Sequence, residues 1–214
     1  MAKFARAERI ALCDTFLQTG PDAPTLCDGW AARQLAAHLV LRESRPDAAA
    51  GMFVPLLVGH LDAVQRTIAA RPWEELVGKL RGGPPRLSPF RLPGVDEKAN
   101  LAEFFIHHED VLRAGDDRPA RRELPAGEQA ALWAVLPQIG KMSLRSVRTG
   151  VVADCPGHGR RTLRGARDNH GSVVVTGAPG EVLLHIFGRA RVADVELDGS
   201  DADVAAFRAA TIGF

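Results

Sequence analysis

Apolar residues recur at two different periods along this chain, and the change of period divides it. Over the first half they return every three to four residues, the spacing of one face of an α-helix. Phe4, Ala7, Ile10, Ala11 and Leu17 make a first such set, stopped by Gly20 and Pro21. After the loop PDAPTLCDG, the stretch WAARQLAAHLVLRES resumes helical spacing, with Leu35 and Leu39 on one stripe. Leu57, Leu61, Val64 and Ile68 predict a third helix, and Pro72 opens a short continuation ending at Gly82-Gly83. The segment GGPPRLSPFRLPG is too rich in proline and glycine for regular structure and reads as a long crossover loop. A last helix runs from Asp96 to Ala114. Four helices with one long connection describe a bundle.

The second half alternates differently. EQAALWAVLPQIGKMSL predicts a helix kinked or divided at Pro137. The pieces GVVADC, RTLRGAR and SVVVTG are short and β-prone, separated by glycine and polar turns. Pro179 opens a helix through EVLLHIFGR, VADVELDG reads as a strand, and Ser200 with Asp203 caps a final helix. The boundary falls in GDDRPARRELPAG. The expectation is an α+β protein of two domains: a helical bundle over residues 1–118 and a small α/β domain over 119–214.

Composition narrows the function classes. With 214 residues the chain can bury a sizeable core, and a net charge of +1 recommends neither nucleic acid nor another polyanion as partner. No apolar run reaches the ~18 residues of a membrane span. The N-terminal stretch MAKFARAERIALC mixes charge into its apolar positions and lacks a signal-peptide core. Cys13, Cys27 and Cys155 are few, odd in number and far apart, which argues against a disulfide framework. A soluble cytoplasmic protein is expected. The arginine and alanine bias fits a G+C-rich coding sequence.

The candidate chemistry lies in EFFIHHED, residues 103–110. Neighbours on a helix point about 100° apart, so His107 and His108 cannot serve one site on the same face. His108 falls in the apolar sector of Leu101, Phe104, Phe105, Val111 and Leu112, and reads as packing. His107 shares the adjacent stripe with Asn100, Glu103, Asp110 and Ala114. Glu103 and His107, four apart, can grip one metal ion, as i, i+4 pairs do in helical zinc sites. Taken alone the spacing is equally that of an ordinary helical pair. His38, on the stripe of Leu35, Leu39 and Arg42, points inward and needs a partner to offset its desolvation. A shared metal would supply one, leaving an open position; a hydrogen bond to a carbonyl or carboxylate would serve as well. Glu109 and Asp110 are possible acceptors behind an imidazole ligand.

These segments resemble a known family. CDGWAARQLAAHLV is similar to the "C-x-G-W-[ST]-x-x-[DE]-L-x-x-H" stretch of the mycothiol-dependent maleylpyruvate isomerases, part of the DinB-like metal-binding four-helix bundles. EFFIHHEDVLRAG resembles that family's "E-x-x-x-H-x-x-D" signature, and the run VVVTGAPGEVLLHIFGRARVADVELDGSDADVAAF resembles its small sterol-carrier-like domain. The resemblance implies metal ligation by His38, Glu103 and His107, a divalent ion, usually zinc, and a low-molecular-weight thiol cofactor, mycothiol. It implies a transferase or isomerase joining that thiol to a small electrophilic substrate. It departs at Ala31 and Gln34, where the family has Ser or Thr and an acid, which weakens the N-cap of the ligand-bearing helix. The family also places an arginine of its second domain near the site. Arg189 is one candidate, with a C-cap cation as its plainer reading, and Arg145, Arg148, Arg160, Arg161 and Arg164 are others.

Other features carry less. Cys155-Pro-Gly-His158 reads as a turn, Cys27 as a small buried residue, His60 as a boundary residue, and Trp30 and Trp73 as core anchors. Two further functions use the same residues: a non-catalytic metal- or ligand-binding module, and a metal-dependent hydrolase.

Overall fold

The computed structural model describes residues 3–52, 54–85, 88, 95–115 and 121–213. The protein is of the α+β class and forms two compact units, Met1–Ala120 and Arg121–Phe214. Most of GGPPRLSPFRLPG, and residues 116–120 of GDDRPARRELPAG with the expected boundary at 118/119, lie outside the described residues. No helix among the described residues is long and apolar enough to cross a membrane.

The first unit is helical: α1 (Lys3–Thr19), α2 (Ala32–Ser44), a short α3 (Pro46–Ala49), α4 (Val58–Ala69), α5 (Trp73–Gly82) and α6 (Val95–Leu112). α1 packs along α6, α2 against α4, and α5 against both α1 and α2. The segment after Pro72 is therefore a helix of its own rather than an extension of α4, and it covers a different part of the core. Leu12, Phe16, Leu35, Leu76, Leu80 and Phe104 are completely or almost completely buried there. Each such side chain contributes about 1.5–3 kcal/mol.

The inner face of α1 is not the one its apolar pattern suggests. Ala5, Leu12, Cys13 and Phe16 are buried, whereas Ala7 and Leu17 are exposed and Phe4, Ile10 and Ala11 only half-buried. The buried stripe also carries Glu8 and Arg9. Both are partnered across helices: Arg9 grips both oxygens of Glu43 at 2.9 and 2.6 Å, and Glu8 is hydrogen-bonded to His108 at 3.0 Å. Partners on α2 and α6 thus outweigh the local pattern.

In the second unit α7 (Ala126–Ser143) leads into β1 (Gly150–Cys155), β2 (Gly159–Arg164) and β3 (Ser172–Thr176). α8 (Pro179–Leu184) continues as a π-helical turn, His185–Arg189, before β4 (Glu196–Asp198) and α9 (Asp201–Ala209). The sheet order is β2-β1-β3-β4, with β1 and β3 parallel and both outer pairs antiparallel. Val151, Ala153 and Cys155 of β1 and Val173 and Val175 of β3 are buried at alternate positions, the period of a half-buried strand. α7 packs on β2 and α8 on β1. Pro137 does not divide α7. A proline at this position leaves the Trp133 carbonyl without its helical donor, and Arg161 Nη1 donates to that oxygen at 3.3 Å. Ser200 caps α9 as its sequence suggests, accepting from Asp203 N–H at 3.1 Å.

Candidate metal centre

The helices α2 and α6 bring His38, Glu103 and His107 together, with one potential donor atom from each lying within 4.8 Å of the others. His107 Nε2 is 3.5 Å from Glu103 Oε2, and the rings of His38 and His107 meet edge-on with centroids 5.6 Å apart. Leu35 and Leu39, both buried, anchor the face of α2 beside His38. The start of α2 retains half of a capping box: Ala31 N–H donates to Gln34 Oε1 at 3.1 Å, while Ala31 has no hydroxyl to return the bond.

The three side chains differ in their electrostatics. Burial, reinforced by the neighbouring His107, pushes the His38 imidazole down to about 3, so it is a neutral donor at physiological pH. Burial alone would push Glu103 up, but the hydrogen bond with His107 and the charge of Arg42 bring it down to about 2. Arg42 Nε lies 3.7 Å from its carboxylate. Burial likewise opposes charge on His107, yet hydrogen bonds with Asp110, Cys27 and Glu103 hold its pKa well above the ordinary histidine value. Asp110 accepts from His107 Nδ1–H at 2.9 Å and its side chain is fully buried. Both Asp110 and Glu103 are carboxylates that only accept, so Nδ1–H donates to Asp110 and Nε2–H faces Glu103; an ion bound there would take the place of the Nε2 proton. Two imidazoles and a carboxylate, with a carboxylate fixing one ring, is a donor set that suits a divalent zinc-like ion.

The remaining residues separate cleanly. His108, on the next face, is buried between Glu8 at Nδ1 (3.0 Å) and Thr15 Oγ1 at Nε2 (2.9 Å), so it packs as a hydrogen-bonded group. Glu109 pairs with buried Arg113. His60 is exposed beside Asp47, and His158 lies in the β1–β2 turn, its N–H donating to Cys155 O at 2.9 Å. Trp73 packs edge-on against Phe16. Trp30, expected as a core anchor, is half-buried and its ring lies 5.2 Å from that of His38.

Cys27 is the residue the sequence undervalues. Its Sγ lies 3.2 Å from Asp110 Oδ2 and 3.9 Å from His107 Nδ1. The signal was present in the C-x-G-W stretch, where the cysteine stands two residues before the glycine of the turn. Trp30 N–H donates to Cys27 O at 3.0 Å, closing a turn that needs a positive φ at Gly29, here 74°. Leu26 N–H donates to Asp110 O at 3.0 Å and ties that turn to α6.

In the second unit, Arg189 donates to Phe187 O at 3.0 Å and lies over the Phe187 ring. Arg164 donates to Val147 O and Arg145 O, and Arg161 lies 4.5 Å from the Trp133 ring centroid.

No family model matches the chain, and no curated protein does. Among solved structures, the crystal structure of the mycothiol-dependent maleylpyruvate isomerase matches 92% of this chain and 91% of its own, at 14% identity and a TM-score of 0.51. A mutant of that isomerase matches over the same shares at the same identity, with a TM-score of 0.49. The likeness of the first is one of fold.

Proposed function

We propose that this chain is a cytoplasmic, zinc-binding transferase or isomerase that joins a low-molecular-weight thiol of the mycothiol type to a small electrophilic substrate. Its metal is held by His38, Glu103 and His107 in a helical bundle domain of residues 1–118, followed by a small α/β domain of residues 119–214. The convergence of three donor atoms within 4.8 Å, from two helices, carries the metal reading. The shared fold with a mycothiol-dependent isomerase supports the thiol.

A zinc ion bound there would supply Lewis acidity and a cationic centre for a thiolate sulfur. The chain's own residues do the rest. His38 is kept neutral by burial and is ready to donate without losing a proton. Glu103 contributes the single negative charge among the three donors, so a divalent ion leaves the centre with a net positive charge. The Arg42 guanidinium, 3.7 Å from Glu103, adds to it, and together they favour an anionic sulfur over a neutral thiol. Asp110 retains the Nδ1 proton of His107 and fixes the direction of Nε2. Arg189, engaged by its own loop, is given no catalytic role.

The experiment is metal content of protein purified without added metal, wild type beside Glu103→Gln and His107→Ala, followed by thiol titration of the loaded wild type. The expected outcome is about one zinc per chain in wild type, lost in both variants, and a perturbed metal environment on adding thiol. A metal-free wild type that also fails reconstitution overturns the metal reading. A loaded protein indifferent to thiol overturns the thiol reading, and turnover of esters without thiol would favour a hydrolase.

A further inference from the structure

The His107 ring has a second side that the zinc reading uses only as a support. Facing Nδ1 are Asp110 Oδ2 at 2.9 Å and Cys27 Sγ at 3.9 Å, with 3.2 Å between sulfur and oxygen. A tetrahedral ion with bonds of about 2.0–2.1 Å to nitrogen and oxygen and 2.3 Å to sulfur requires donor separations of roughly 3.3–3.6 Å. The observed triangle departs from that by a few tenths of an ångström at each edge, within reach of small side-chain rotations.

We infer that Cys27, His107 through Nδ1, and Asp110 form a second cation site, for a thiophilic divalent ion of about zinc's size. The sulfur selects for softness, whereas the His38–Glu103–His107 set offers only nitrogen and oxygen. Two anionic donors and a neutral imidazole balance a divalent charge in a place where Asp110 is fully buried. The donors are held rather than floppy. The Cys27 turn is closed by Trp30 N–H and tied to α6 by Leu26 N–H, and Asp110 sits one turn along the helix from His107. Loading releases the Cys27 thiol proton and the His107 Nδ1 proton to solvent and leaves the ring neutral, with its remaining proton on Nε2. It also removes the hydrogen bond that aims Nε2 at Glu103, so the two sites oppose each other through one ring.

The other thiols offer no rival site. Cys13 and Cys155 are buried, which pushes each thiol up to about 12, and Cys13 already donates to Val77 O. Neither belongs to a group of three neighbouring donors among the described residues.

The test is titration of metal-free full-length protein with cadmium alone, following the ultraviolet thiolate-to-cadmium charge-transfer absorption. It is run on wild type, Cys27→Ser, Cys27→Ala and Glu103→Gln, each checked for folding by circular dichroism. The expected result is an absorption saturating at one ion per chain in wild type, lost in both Cys27 variants and kept in Glu103→Gln. Absorption that survives removal of Cys27, or cadmium binding without any thiolate absorption, overturns the inference. Because Glu103→Gln empties only the other donor set, failure here and failure of the zinc reading are distinguishable.

Discussion

Replacing Asp110 by asparagine isolates what the group behind the proposed ligand His107 contributes. The Asp110 side chain is fully buried and accepts the His107 Nδ1 proton at 2.9 Å. Asparagine keeps the shape but exchanges a charged acceptor for a neutral one, and a charge-assisted hydrogen bond is roughly twice as strong as a neutral one. Loss of such a carboxylate behind a zinc-ligating histidine costs about 10–100-fold in metal affinity. That is about 1.4–2.8 kcal/mol. A second effect opposes it. Asp110 also helps to hold the metal-free His107 pKa well above the ordinary value, so zinc must displace a proton. The variant relieves that competition, which matters only while the ring is protonated. Competitive zinc titration against a chelator should therefore show the largest weakening at alkaline pH, and a smaller one as pH falls. Unchanged or tighter zinc binding at alkaline pH, in a folded variant, would refute the orienting role.

Three further outcomes are expected. Arg9→Met takes the cation from the buried Glu43 carboxylate, which keeps the Asn100 amide donor at 3.0 Å, and should cost about 3–5 kcal/mol in denaturant unfolding, most of it recovered when Glu43→Gln is added. His185 is buried, and burial with the charge of Arg208 lowers its pKa to about 4. The unfolded chain takes up a proton below about 6.5 that the folded state refuses. Stability is thus lost as pH falls from 6.5 towards 4, by about 3 kcal/mol at most. An acid limb as steep in His185→Phe, which keeps the stacking on Phe207, would contradict this. Gly188→Ala forces a side chain onto a backbone at φ 92° with its Cβ 2.9 Å from Ile212 O. It should lower stability by at least about 1–2 kcal/mol, read as a drop in Tm.

Much of the local structure was legible. The Glu103–His107 spacing selects one face of α6 whatever packs on it, and the choice of His107 over His108 follows from the wheel alone. The Ser200 cap and the Cys155–His158 turn are equally local. Legibility fails where a local preference meets a distant partner. The apolar stripe read on α1 is at most half-buried, while Glu8 and Arg9 are buried against His108 and Glu43, 100 and 34 positions away. Pro137 is tolerated because Arg161, on β2, reaches the carbonyl it orphans.

The sequence by itself determined the change from a helical half to a mixed one, the face of each donor, and the candidate trio His38, Glu103 and His107. Tertiary structure alone decided that His38 meets the other two, that Trp30 lies beside it, and that Cys27 sits against Asp110. The reason is physical. Backbone geometry sets the face of a side chain from its own neighbours, whereas donor distances and the offset of buried charge depend on segments that only the packed chain brings together.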